Sequence, residues 1–226
     1  MSLRLHAELG SPMGEALVAQ RLAELAVGRG DAQTADAYLR RGLQRLDQSS
    51  MPLHLVGRLY GTLALNALEQ GDVAGATAAI EAAARASERY GNCPTCGALL
   101  HPVAAQTFAA LGDPERGEPH AQAATQVAGY WESQAWRAMA ELARGALARA
   151  RQEPARAHQH FLDAAAAFEL AEQPYEAARA LLQAGLCRAD SDPPRARAML
   201  AQAETVFHRL GAARAEARAR HEIARL

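Results

Sequence analysis

The sequence predicts an all-α array of stacked helix pairs, and three observations carry that expectation. The first is a phrase, Gly-Asp-x-x-x-Ala, that recurs in fixed register. Gly30-Asp31 with Ala35, Gly71-Asp72 with Ala76, and Gly112-Asp113 with Gly117 in the alanine position stand 41 residues apart. A degraded copy, Gln152-Glu153 with Ala157, follows after 40 residues. The second is composition. The chain is 50% apolar and only 5% aromatic; Ala and Leu, which dominate, are strong helix formers. Isoleucine is confined to Ile80 and Ile223, and such scarcity of β-branched residues argues against a sheet. The third is the 4-3-4 spacing of small and large apolar residues inside each unit, which keeps one helical face inward. A period of this size means small helical units that bury their apolar faces only by stacking.

The elements follow in order. Residues before Leu9 read as the tail of a second helix whose partner is missing, because Leu9-Gly10 followed by Glu15-Ala16 repeats at Leu170-Ala171 with Glu176-Ala177 and at Leu210-Gly211 with Glu216-Ala217. The first unit, about 11–50, places its helix A from about Met13 to Gly28 and its helix B on to about Leu46. Gly30 supplies a left-handed C-cap and Asp31 caps the start of helix B. The second unit, about 51–91, presents Ala76, Ile80, Ala83 and Ser87 on its helix B. The third, about 92–131, opens helix A at Cys93. The fourth, about 132–172, presents Ala157, Phe161, Ala164 and Phe168, and the fifth, about 173–211, presents Ala196, Leu200, Ala203 and Phe207. A last helix A, 212–226, has no partner, so the 226 residues are expected to be one repeat domain cut from a longer protein. Small residues at Ala23, Ala64, Ala105, Gly145 and Gly185 mark where each helix A crosses its helix B closely.

The spacing Gly145, Ala157, Phe161, Ala164 resembles the small, small, aromatic, small pattern of the tetratricopeptide repeat, here with a longer period. That resemblance implies a superhelix of about five helix pairs. A second resemblance rests on Cys93-Pro-Thr-Cys96-Gly-Ala-Leu-Leu-His-Pro102, Ala109-Ala-Leu-Gly-Asp113, Trp136-Arg-Ala138, and Phe168 with Gln173-Pro174-Tyr175-Glu176-Ala177-Ala178-Arg179. These stretches are similar to the long-repeat helical region of bacterial LuxR-type transcriptional regulators, in which an ATPase module precedes the array and a helix-turn-helix domain follows. The resemblance implies a regulatory or signal-sensing segment and transfers neither ATPase nor DNA-binding activity. No Gly-x-x-x-x-Gly-Lys-Ser/Thr phosphate loop occurs.

Charge narrows the partners. All 24 basic residues are arginine, set against 25 acidic residues for a net charge of -1, without the basic footprint that nucleic-acid binding leaves. No apolar run reaches the roughly 18 residues a membrane span needs, and the N-terminus lacks the pattern of a signal peptide. The expected location is the cytoplasm, with no membrane or direct nucleic-acid contact, and three cysteines make no secreted disulfide framework.

Few residues could carry chemistry. Cys93 and Cys96 have the spacing of two zinc ligands or of a reversible disulfide. His101, five residues beyond Cys96, is a possible third ligand. His54 is another, because the 41-residue register sets it beside Thr95 on the neighbouring helix A. Without a second such pair, packing thiols are the expected reading, and Cys187 is expected in the core. His158 and His160 are expected in solvent. Tyr130, Trp131 and Trp136 are read as packing at the joint of units three and four. The pairs Glu15 with Arg21 and Glu118 with Gln122 are read as solvated helix faces. No nucleophile–base constellation, paired-carboxylate site or cofactor cradle can be assembled, so neither catalysis nor a cofactor is expected.

The expected function is therefore a non-enzymatic platform that binds a protein or peptide, the flanking domains of a parent regulator, or a small effector. Counting from the small crossing residue, helix A positions that would line the groove are Gln20, Glu24, Arg58, Glu69, Gln106, Met139, Arg149 and Arg179. Two rivals remain open: a redox or metal sensor built on Cys93 and Cys96, and a structural spacer between ATPase and DNA-binding modules.

Overall fold

Helix–turn–helix punctuation is written into the joints. Asp31, Asp72 and Asp113 each accept a hydrogen bond from the backbone N–H three residues on, at Thr34, Gly75 and Arg116. The glycine before each aspartate holds a left-handed backbone, with φ of 79° at Gly30, 79° at Gly71 and 82° at Gly112. At the equivalent joint of the next pair Gln152 adopts φ 62°, so the turn geometry persists where the glycine has been lost.

A computed structural model describes residues 2–226 of the protein. They are 83% helical, with 13 α-helices and no strand among the described residues. The order is α1 (Ser2–Glu8), α2 (Pro12–Arg29), α3 (Ala32–Leu43), a 3-10 turn (Leu46–Gln48), α4 (Leu53–Glu69), α5 (Val73–Tyr90), α6 (Pro94–Gly97), α7 (His101–Leu111), α8 (Pro114–Trp131), α9 (Gln134–Ala150), α10 (Pro154–Leu170), α11 (Pro174–Leu186), α12 (Pro193–Leu210) and α13 (Ala213–Arg225). No helix is long and apolar enough to cross a membrane among the described residues.

Two compact units divide the chain, Met1–Thr107 and Phe108–Leu226. In the first, α2 packs on α3 and α4 on α5, with α2 and α3 both meeting α4. Its core gathers Ala16, Ala23, Ala35, Leu39, Leu55, Leu59 and Ala83. Buried polar links cross between helices here. The Gln20 amide donates to Thr62 Oγ1 at 2.9 Å, and Asn66 Nδ2 donates to the Ala32 carbonyl at 3.2 Å and to Asp36 at 2.7 Å. Glu15 is buried and receives Arg41 at 3.1 Å and Arg45 at 3.3 Å. It is therefore not the solvated partner of Arg21, because its carboxylate points across to α3 and the turn beyond.

In the second unit each helix from α8 to α13 packs on the next. Ala157, Phe161, Ala164 and Phe168 of α10 are buried, as are Ala196, Leu200, Ala203 and Phe207 of α12. In α5 the inward face takes Ala86 rather than Ser87 as its last member. The crossing residues are packed against backbone or ring. A Cβ on Gly145 would lie 2.7 Å from Phe161 Cε1, and one on Gly185 would lie 3.3 Å from the Ala196 carbonyl oxygen.

Three expectations are corrected. His158 is buried, its Nδ1 2.9 Å from the Ala184 carbonyl oxygen of α11, and His160 Nδ1 lies 2.6 Å from Glu141 of α9. Both rings found partners on neighbouring helices in place of solvent. Tyr130 is 79% exposed and Trp131 52% exposed, in edge-on contacts that run from Tyr130 to Trp131 and on to Trp136. Leu170 and Leu210 share their register and are also exposed, whereas Tyr90 at the same position of α5 is half-buried against the first core. The third helix A is not continuous: α6 stops at Gly97 and α7 begins at His101. Pro102 has no N–H for the Ala98 carbonyl, and its ring clashes with that carbonyl in a continuous α-helix. The three residues between close with tighter bonds, such as Leu100 N–H to the Gly97 carbonyl at 3.0 Å.

Gly145 supplies a direct test of the crossing geometry. Gly145→Ala drives a methyl into the Phe161 ring, and overpacking of this kind costs about 1–3 kcal/mol. The expected result is a lower unfolding temperature that Phe161→Leu largely restores in the double variant. Independent, additive losses in thermal denaturation would show that the two residues do not share one contact.

Candidate metal centre

The two thiols of the sequence motif are brought together with one of the two candidate histidines. A ring nitrogen of His54, Cys93 Sγ and Cys96 Sγ all lie within 4.8 Å of one another. Cys96 Sγ is 3.6 Å from His54 Nδ1. Cys96 is buried, while Cys93 and His54 are half-buried, and neither cysteine is in a disulfide. Cys93 Sγ also accepts the Cys96 backbone N–H at 3.4 Å, which folds the motif into a single tight turn.

The placement of His54 follows from the sequence of α4. His54, Gly57 and Gly61 recur at the i, i+3, i+7 spacing of one helical face. Neither glycine has room for a side chain. A Cβ on Gly57 would lie 2.7 Å from the Cys96 carbonyl oxygen, and one on Gly61 would lie 2.9 Å from that of Leu99. The segment from Cys96 to Leu100 therefore lies directly on the α4 backbone, and His54 stands at the end of the same face beside the thiols. The repeat register shows how particular this is. The positions equivalent to Gly57 are Ala16, Ala98, Ala138 and Ala178, and those equivalent to Gly61 are Gln20, Pro102, Leu142 and Leu182. Glycine at both positions is confined to the second pair.

His101 does not join the cluster. A Cβ on Gly97 would lie 3.0 Å from its Nε2, so the ring packs over Gly97, and burial holds its pKa below the ordinary histidine value. Cys187, expected in the core, is half-buried at the C-terminal end of α11. Burial pushes the Cys96 thiol above its ordinary value, its hydrogen bond with Cys93 adds to this, and the Arg58 guanidinium beside it pulls the other way. A nucleophilic cysteine needs a lowered pKa and access, so Cys96 is not set up as one.

The groove candidates separate into different environments. Gln20, expected to be exposed, is fully buried against Thr62, because its position faces the next helix A. Glu24 pairs with Arg21 at 2.7 Å on its own helix. Arg58 is half-buried next to Cys96, and Glu69 is half-buried near the end of α4. Gln106 Nε2 donates to the Pro102 carbonyl at 3.0 Å. In the second unit, Met139 packs on the core edge, and Arg149 donates to Gln183 while lying 5.7 Å from the Phe161 ring centre. Arg179 pairs with Glu176 at 2.7 Å. Arg149 on α9 and the Gln183–Arg179 face of α11 thus belong to two successive A helices. Glu118, read as solvated with Gln122, also receives Arg151, which caps the C-terminus of α9, at 3.0 Å.

No protein-family model matches this chain, and no curated protein matches it.

Thiol chemistry distinguishes these environments. With its pKa raised, Cys96 in the folded chain is expected to react with a thiol reagent more slowly than a free thiol at neutral pH. Its rate should still be climbing at pH 9.0, the ordinary thiol value. Arg58→Gln removes the cation that favours the thiolate and should slow labelling further. Mass-resolved labelling across pH checks this, and a Cys96 that reacts fastest of the three cysteines at neutral pH would contradict it.

Proposed function

We propose that this chain is a tetratricopeptide-like repeat platform that binds a protein or peptide partner and catalyses no reaction of its own. The supporting observation is a small residue kept buried at one register position of each helix A, which lies under Phe161 of α10 at Gly145 and against Ala196 and Leu200 of α12 at Gly185. Ala23, Ala64, Ala105, Gly145 and Gly185 are all buried at that position. Small residues kept in register from pair to pair are what let such repeats stack on their neighbours, and within each compact unit the exposed faces of the A helices are the proposed binding surface. These faces carry Glu24 and Glu69 in the first unit and Arg149 and Arg179 in the second. Arginine forks engage carboxylates through paired hydrogen bonds, so a helix or extended segment of acidic or mixed charge is the fitting occupant. The resemblance to LuxR-type regulators implies as partner the flanking domains of a parent regulator or a protein that reports a signal to it.

The test reverses charge where two successive A helices present arginine. In the Arg149→Glu, Arg179→Glu variant the far-ultraviolet circular dichroism should be unchanged. Affinity for the flanking domains of the parent regulator should fall roughly tenfold or more, the loss expected when interface arginines are removed. Undiminished binding by a folded variant would move the functional surface off the A helices.

A further inference from the structure

We propose that His54, Cys93 and Cys96 form a zinc site with three protein ligands and an open fourth position, stapling α6 to α4. The inference stands apart from the platform reading and rests on other residues.

The donor set is right in kind. Two thiolates and an imidazole are the nitrogen and sulfur donors that Zn2+ selects, and three protein ligands with one free position is the pattern of a site that keeps an exchangeable ligand. The spacing also fits. Zinc–sulfur and zinc–nitrogen bonds of about 2.3 and 2.1 Å at a tetrahedral angle place the two donors about 3.6 Å apart. Cys96 Sγ and His54 Nδ1 are 3.6 Å apart. The third donor, Cys93 Sγ, lies within 4.8 Å of Cys96 Sγ and of a His54 ring nitrogen, a gap that a small rotation of a half-buried side chain closes.

Two features distinguish this from thiols packed by chance. The histidine comes from a different helix, about 40 residues away in sequence, and a disulfide would have no use for it. The α4 face beneath the motif is also cleared of side chains at Gly57 and Gly61, so that the Cys96 and Leu99 carbonyls approach within 2.7 and 2.9 Å of where Cβ atoms would stand. Glycine costs helix stability, about 1 kcal/mol relative to alanine at each position. Two of them on one face of α4 are accounted for by the approach that carries the thiols to His54. Binding is a simple exchange: Zn2+ takes two thiolates and one imidazole nitrogen, two protons leave to solvent, and water fills the fourth position. Cys93 and His54 are half-buried rather than sealed in the core, so solvent has access to the cluster.

The experiment uses the reduced full chain, freed of metal, titrated with Co2+ and then Zn2+. The expected spectrum has thiolate-to-cobalt charge transfer and the intense visible bands of tetrahedral cobalt, saturates at a single ion per chain, and is abolished by Zn2+. Zn2+ should also raise the unfolding temperature, since a ligand bound by the folded state alone stabilises it. Cys93→Ser and Cys96→Ala should each abolish the charge-transfer band. His54→Gln should weaken Co2+ affinity by at least the roughly 10–100-fold that loss of even an outer-sphere partner costs. Cys187→Ser and His101→Gln should leave the spectrum as it is. A wild-type chain that shows no thiolate–cobalt band overturns the proposal whatever the variants do. So does a spectrum insensitive to His54→Gln, or one lost with Cys187.

Discussion

The close crossing of an A helix over its B helix, seen where Gly145 meets Phe161 and Gly185 meets Leu200, is the constraint on which the packing depends. With only 5% aromatic residues, the chain has few large side chains to fill space between helices. It reaches interior packing by bringing helix axes together over alanine and glycine instead. Phe161 fits because Gly145 has no side chain, and Leu200 and the Ala196 carbonyl fit against Gly185 in the same way. Such a seam tolerates little. Interiors are close-packed, so an added methyl is felt immediately, and helix pairs that share the seam inherit its register.

A seam of small apolar residues fixes distance well and rotation poorly, and the buried polar groups supply what it lacks. Gln20 to Thr62 ties α2 to α4, and Asn66 ties α4 to the start of α3. Glu15 reaches Arg41 and Arg45, and His158 reaches the Ala184 carbonyl. Each bond is directional and each partner sits on a different helix. A slip of one residue along the helix would leave a buried polar group unpaired, at roughly 1–3 kcal/mol each.

This division explains what could be read from sequence. Helix bounds, caps and the inward rows of α10 and α12 depend on residues within one unit, so periodicity and the Gly-Asp joints revealed them. The break before Pro102 is legible in principle from the proline alone, because its ring and missing N–H act within one turn. The buried roles of Glu15, Gln20 and His158 depend on partners 26 to 42 residues away that no single helical pattern contains. The reading of Tyr130 fails for another reason. An aromatic at the end of a helix reads as packing, but its burial depends on what lies beyond the helix, which leaves Tyr130 exposed and Tyr90 half-buried at the same register.

The cysteine cluster lies between these cases. The 41-residue period placed His54 beside Thr95, which brought the right histidine to the right turn. His101 competed with it only through nearness in sequence, and its ring turned onto Gly97. What the period could not convey was depth, since the same register in other pairs sets an alanine where Gly57 stands and a larger residue where Gly61 stands. The close approach that elsewhere only packs helices here sets two thiols and an imidazole within 4.8 Å of one another. Glycine at both positions of the α4 face is what that approach requires, and no other pair of the repeat carries it.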